Sequence, residues 1–301
     1  MRKGRPLEAI LHDGAFERPG ISIDRQQRIV NGMRALGEGA HLSFARRRAG
    51  DEELGRVHDP LYIHGLRELC ADGIPMRLDP ELVVDELLFD AAAAAAAALT
   101  DAAATAHSSG PVRICLNRPG SHHAGRDYAL GFCVINNLAV AAAGALASGR
   151  CERVAILDFD AHHGNGTEQI FAAEERVLTV SIHQHPFFPG TGDPDSPAKA
   201  NLNLPLAAGA GDREALDAYR RALERIAAHD PDLILVEAGV DGHIADHTSD
   251  LRIGDEAYRR FGHELALCAE GVGAGLAIEM GGGYTEASVL GGFGAFLEGL
   301  C

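Results

Sequence analysis

The sequence predicts an α/β fold built on a parallel sheet with helices covering both faces. Five short apolar runs rich in branched residues, at 112–116, 154–159, 177–182, 233–236 and 276–280, have the length and flanks of buried strands. Segments of helical period or composition alternate with them, which is the pattern of strands joined by crossover helices. The chain is also large and apolar enough for such a core. With 301 residues, 46% hydrophobic and 23% charged, it can bury about three quarters of its unfolded surface.

Taken in order, the amino-terminal residues MRKGRPLEAILHDG are briefly basic but contain no apolar run of signal-sequence length. Residues 12–70 are more polar and read as helices and loops, with Ser22 as a possible N-cap of a helix over 23–36. The segment 90–105 is dominated by alanine, the best helix former, whose small side chain allows close packing. Further helices are expected over 137–147, 213–228 and 255–270. No internal repeat, proline-rich linker or long charge block divides the chain, so one domain over 1–301 is the simplest partition.

A formal net charge of -16 repels phosphate backbones, so nucleic acid is not an expected direct ligand. No stretch approaches the ~20 apolar residues of a membrane span, and the expectation is a soluble, cytoplasmic protein. The chain is compatible with an oligomer. Six cysteines (Cys70, Cys115, Cys133, Cys151, Cys268 and Cys301) form no C-x-x-C pair and read as small buried hydrophobes in a reducing compartment.

The chemistry lies in the segments just after the strands. RPGSHHA comes after the first run, DAHHGNG after the second, EAGVDG after the fourth and GGGY after the fifth. In a parallel sheet all four emerge at the carboxyl edge, where open α/β sheets place their ligand crevices. Asp158, Asp160 and His162 alternate along an extended segment and share a face, while Asp241 arrives from another strand. Two carboxylates and an imidazole suit a first-row metal and leave room for a water, the pattern of a catalytic zinc site. The same ligands would take Fe(II), Co(II) or Mn(II). Hydrolysis needs proton carriers and an oxyanion partner as well. The tandem imidazoles His122 and His123 supply the first, with Asp158 and Asn165 available to orient them, and the Tyr284 hydroxyl can supply the second.

The ordered set RPGSHHA, GFCVINNLAVAA, ILDFDAHHGNGT, VLTVSIH, FFPGTGD, AGVDGH and GGGY resembles the histone deacetylase and acetylpolyamine amidohydrolase superfamily, in its bacterial, class II-like branch. The resemblance covers residues 110–290, with weaker similarity at VHDPLY (57–62). It implies an arginase/deacetylase-like fold with a central parallel sheet of about eight strands. It places zinc on Asp160, His162 and Asp241, and makes His123 the main proton carrier with His122 as electrostatic partner. Asp158 then holds His122, Asn165 faces His123 as in class II members, and Tyr284 polarises the carbonyl. Gly131, Phe132 and Phe188 would line a narrow acyl channel, with Cys133 packing beside it. A structural potassium ion is implied on the backbone carbonyls of Asp158, Asp160, His162 and Ile182 and the Ser181 hydroxyl.

Several departures bear on specificity. The usual RPPGHHA is RPGSHHA, and the segment from His183 to Pro186 is shorter than in many lysine deacetylases. His183 and His185 are expected to bond within their loop in preference to binding a second metal. The rim 242–249 lacks the Asp-Pro-Leu pattern, and no polyamine-type glutamate gatekeeper is evident. The acidic surface, including 79–86, favours a substrate with residual positive charge. The resulting expectation is deacetylation of a cationic amine, either N-acetylated polyamine or N-acetyl-lysine. Hydrolysis of another small acylated amide, or noncatalytic binding of an acyl ligand, are the alternatives. An arginase-type ureohydrolase fits less well, because a two-manganese site wants further aspartates at these motifs.

Overall fold

In the computed structural model the described residues are 5–12, 23–37, 41–74, 76, 77, 82–117, 119–195 and 200–301. Ser22 and Arg118 lie outside them, as do the first three residues of the acidic stretch 79–86.

The strands are β1 (Leu7–His12), β2 (His41–Ala45), the short pair β3 (Met76–Arg77) and β4 (Val83–Val84), β5 (Val112–Cys115), β6 (Val154–Asp158), β7 (Val177–Gln184), β8 (Asn201–Leu206), β9 (Leu233–Ala238) and β10 (Gly275–Met280). Eight form one sheet in the order β2-β1-β5-β10-β9-β6-β7-β8, and every pair in it is parallel. β3 and β4 pair separately and antiparallel. The five strands expected from apolar runs are all present. β2 corrects the sequence reading, which left 12–70 to helices and loops, and β1 and β8 are strands that no apolar run announced. Their sequences LEAILH, HLSFA and NLNLPL mix polar residues among apolar ones, and β2 and β8 are the edge strands, where a continuous apolar run is not required.

The helices are α1 (Ile23–Leu36), α2 (Asp51–Leu54), α3 (Pro60–Ala71), α4 (Leu88–Thr105), α5 (Asn137–Ala147), α6 (Asn165–Phe171), α7 (Asp212–His229), α8 (Asp255–Val272) and α9 (Gly294–Leu300), with a π-helical segment Ser288–Phe293 before the last. Alternate residues of each central strand feed opposite cores. Ala155 and Leu157 of β6 join α1, α7, α8 and α9, while Val154 and Ile156 join α3, α4 and α5. A sheet buried on both faces explains why these strands read as unbroken apolar runs.

α4 is the closely packed alanine helix expected, but it corrects the statement that no stretch approaches the length and apolarity of a membrane span. By length and composition it could cross a membrane, and 67% of it is buried within the protein. Ala92 to Ala98 are all buried, so the alanine run is the surface that lets this helix lie close against the sheet and α5.

The VHDPLY segment has a mechanical role. Asp59 caps α3 by accepting the Leu61 amide, and Pro60 occupies the first helical turn, where its missing N–H is harmless. Buried His58 donates from Nδ1 to the Gly125 carbonyl (2.9 Å) and accepts the Asn136 amide at Nε2 (3.0 Å). The Tyr62 hydroxyl donates to the Val134 carbonyl at 2.7 Å. Together they buckle the loop between the tandem histidines and α5.

Because Nε2 of His58 must accept, this imidazole is stable only when neutral, and burial pushes its pKa down to about 4. The unfolded chain takes up a proton below pH ~6.5 that the folded chain refuses until about pH 4. Stability from this group is therefore complete above pH ~6.5 and lost as pH falls toward 4. The linked slope is about 1.4 kcal/mol per pH unit, reaching about 3 kcal/mol. Urea unfolding between pH 7.5 and 4.5 should show His58→Gln with a shallower acid slope by that amount. Identical slopes would contradict the assignment.

Candidate metal centre and catalytic site

Adjacency of β6 and β9 in the sheet brings Asp160, two residues beyond the end of β6, to Asp241, three beyond the end of β9. Both carboxylates are buried, at 2% and 0% exposure. His162 Nδ1 lies 3.1 Å from Asp160 Oδ1 and 2.9 Å from Asp241 Oδ2. One ligand atom from each of the three residues lies within 4.8 Å of the others.

The backbone orients these carboxylates. Asp160 Oδ2 accepts the Gly282 amide at 2.7 Å and Asp241 Oδ1 accepts the Ala161 amide at 2.8 Å. Each carboxylate thus turns its other oxygen toward His162. Close approach requires glycine, since a Cβ at Gly282 would meet Asp160 Oδ2 and Asp241 Oδ2 at 2.5 Å each. Burial alone would neutralise this cluster, but the charges hold one another. Burial opposes charge on His162, yet Asp241 and Asp160 raise its pKa to about 11. Burial and the neighbouring Asp160 raise Asp241 to about 6. The Asp160 carboxyl is held below its usual range because His122 and His162 outweigh its burial. A divalent cation fits this set, since it would take the place of the shared proton between one imidazole and two carboxylates.

The tandem histidines are held differently. His122 Nδ1 bonds Asp158 Oδ2 at 2.8 Å, whereas His123 Nδ1 bonds Asn165 Oδ1 at 2.8 Å. Their rings stack tilted at 3.9 Å. Burial disfavours the charged form of both. For His122 the carboxylates of Asp158 and Asp160 outweigh it and raise the pKa to about 9. For His123 burial and the neighbouring His122 act together and push the pKa well below the usual histidine range. The sheet places one imidazole beside charge and the other beside a neutral amide.

Phe188 lies edge-on to His123 at 5.2 Å and is 44% exposed. Phe132 lies 6.3 Å from the Tyr284 ring. Gly131 and Phe132 both take positive φ, 53° and 68°. At Gly131 a Cβ would strike the His123 ring, and at Phe132 the left-handed backbone is a strained arrangement for a bulky residue. Cys133 is buried, as expected of a packing residue.

His183, at the end of β7, bonds locally as expected, whereas His185 only approaches an acidic neighbour. His183 Nε2 donates to the Gly192 carbonyl at 3.0 Å, so its Nδ1 accepts from the Ser181 hydroxyl at 2.9 Å. His185 Nε2 faces Asp193 at 3.4 Å. That direction of the Ser181 proton leaves one oxygen lone pair for the Gly164 amide at 3.4 Å and the other available, which fits the hydroxyl of a cation site. Asp158 and Ser181 are registered partners on β6 and β7, with Ile182 the next residue.

Several site residues carried no signal of their own in the sequence. Phe187 stacks on His162 at 5.3 Å. Tyr128 accepts the Asn165 amide at 3.0 Å. Glu237 of β9 has a carboxylate oxygen within 4.8 Å of ligand atoms of His122 and Asp160. Its place at the head of the EAGVDG segment, just after the fourth apolar run, was the available clue.

The family model for the histone deacetylase domain matches residues 21–300. The chain belongs to the histone deacetylase family. It is 34% identical over 255 residues to a histone deacetylase-like amidohydrolase of Pseudomonas aeruginosa, covering 80% of this chain and 66% of that protein. It is 32% identical over 262 residues to an acetylpolyamine amidohydrolase of Burkholderia pseudomallei, covering 82% and 74% respectively. The solved HDA15 HD domain matches with a TM-score of 0.87 and 28% identity, over 98% of this chain and 88% of that one. The arginase/deacetylase-like α/β fold expected from the sequence is the fold observed.

Gly282→Ala tests the carboxylate cradle. The added methyl would push on both carboxylates, so divalent-metal affinity should fall about 10- to 100-fold while the circular dichroism spectrum is retained. Chelator competition measures it, and unchanged affinity would contradict the cradle.

Proposed function

We propose that this chain is a metal-dependent deacetylase that hydrolyses the acetamide of a cationic N-acetylated amine to acetate and the free amine. The observation that carries the reading is the convergence of Asp160, His162 and Asp241 beside two histidines with different partners. Zinc is the metal we assign, with Fe(II) or Co(II) as substitutes suited to the same ligands. When bound, it supplies Lewis acidity that polarises the acetyl carbonyl and acidifies a water.

The remaining work belongs to side chains. His123 donates from Nδ1 to Asn165, which leaves Nε2 basic and able to take a proton from water and pass it to the departing amine. His122, paired with Asp158, provides positive charge beside the reacting centre. The Tyr284 hydroxyl donates to the oxyanion that develops on the carbonyl. Gly131, Phe132 and Phe188 line the approach and suit a narrow alkyl amide. A potassium ion on the carbonyls of Asp158, Asp160, His162 and Ile182 and the Ser181 hydroxyl would brace the β6 and β7 ends.

The net charge of -16 supports a substrate that keeps a positive charge. The relatives named above include both a histone deacetylase-like amidohydrolase and an acetylpolyamine amidohydrolase, so acetyl-lysine and acetylpolyamine are the two substrates to separate. Competition among acetylputrescine, acetylspermidine and an acetyl-lysine peptide on metal-reconstituted protein separates them. Acetate release from none of the three would count against the reading.

Tyr284→Phe should lower turnover about 100- to 1,000-fold with little change in substrate binding. His123→Ala should lower it about 100- to 10,000-fold, and His122→Ala less. Steady-state kinetics decide both points. An unchanged turnover number in Tyr284→Phe, or equal losses at the two histidines, would contradict these roles.

A further inference from the structure

We propose that Asp246 is the positioning residue that fixes the turn carrying Tyr284. The inference rests on the deacetylase reading for its effect on rate, and on hydrogen-bond geometry for the positioning itself.

Tyr284 comes directly after Gly281, Gly282 and Gly283, the last at a φ of 145°. Three successive glycines leave the backbone without side chains to settle its direction. The turn is therefore only as definite as its outside anchors. On one side the Gly282 amide donates to Asp160 at 2.7 Å and the Gly282 carbonyl accepts the Val240 amide at 2.7 Å. On the other side the Tyr284 amide donates to Asp246 Oδ2 at 2.8 Å. The buried Ser288 hydroxyl donates to the same oxygen at 2.6 Å.

Asp246 is itself immobilised. Its Oδ1 accepts the His247 amide at 2.9 Å, the Thr248 amide at 3.1 Å and the Thr248 hydroxyl at 2.8 Å. One carboxylate thus takes hydrogen bonds from the rim through one oxygen and from the Tyr284 turn through the other. Thr285 closes the link, donating to the Ala245 carbonyl at 3.1 Å and accepting the Ser288 amide at 2.9 Å. All the groups facing Asp246 in these contacts are donors. Asparagine has the same shape but must turn an NH2 toward one of the two donor sets, so it cannot hold both.

The test compares wild type, Asp246→Asn, Asp246→Ala, Tyr284→Phe and the double variant Asp246→Asn/Tyr284→Phe. Hydrogen exchange at the Tyr284 amide needs no substrate. It should accelerate about tenfold or more in Asp246→Asn and Asp246→Ala, with β9 and β10 amides unchanged. Turnover of an acetyl-lysine peptide or acetylputrescine should fall about 100-fold in Asp246→Asn with KM within about threefold. In the Tyr284→Phe background the same substitution should change turnover less than about twofold. Unchanged exchange at Tyr284, or an equal loss of turnover in both backgrounds, would overturn the proposal. If Asp246→Ala fails to fold, Asp246→Asn decides the outcome. Absent hydrolysis by wild type with accelerated exchange in the variants would support the positioning and count against the deacetylase reading.

Discussion

Two buried carboxylates that face one imidazole nitrogen are the constraint on which this structure turns. Asp160 and Asp241 are almost wholly removed from water, and like charges so placed are tolerable only with compensating positive charge and well-aimed donors. The parallel sheet meets the geometric half of that demand, because neighbouring β6 and β9 deliver both residues to one edge. Glycine at 239, 281 and 282 meets the steric half, since a Cβ at any of them would strike Asp160, Asp241 or the backbone at Gly239. The backbone amides of Ala161 and Gly282 then fix which oxygens point inward.

The same field sorts the tandem histidines. They are adjacent in sequence and their rings touch, yet Asp158 beneath His122 and Asn165 beside His123 give them opposite tendencies toward charge. Identical side chains become unlike because one faces a carboxylate and the other an amide. Around them, His58 and Tyr62 tie the 124–136 loop to α3, and the Ser181 to His183 to Gly192 chain ties β7 to the loop that carries Phe187 and Phe188.

Much of this was legible in the sequence, for a physical reason. A sheet covered on both faces leaves long apolar runs, so its central strands stand out, and the polar residues that break those runs mark the site edge. Edge strands escape that logic. β8 reads NLNLPL, with Pro205 exposed and Leu204 buried, and no apolar run betrays it. The residues proposed as ligands and proton carriers stood out because the chemistry asked of them resides in residue type. Asp246, Gly282 and Tyr128 were not, because each acts through a hydrogen bond or a close approach that only the fold creates. The alanine run of α4 was legible as a tightly packed helix, while its span-like length shows how burial, and not composition, distinguishes a core helix from a membrane one.

The central claim is that the Asp160, His162 and Asp241 set holds one divalent ion that the hydrolysis of an acetylated amine requires. Its most direct test titrates metal-free protein with zinc while tracking bound metal and acetate release together. Acetate release should rise in proportion to bound zinc, stop at one ion per chain, and vanish on chelation. Acetate release that survives complete chelation, or that needs two ions per chain, would contradict it.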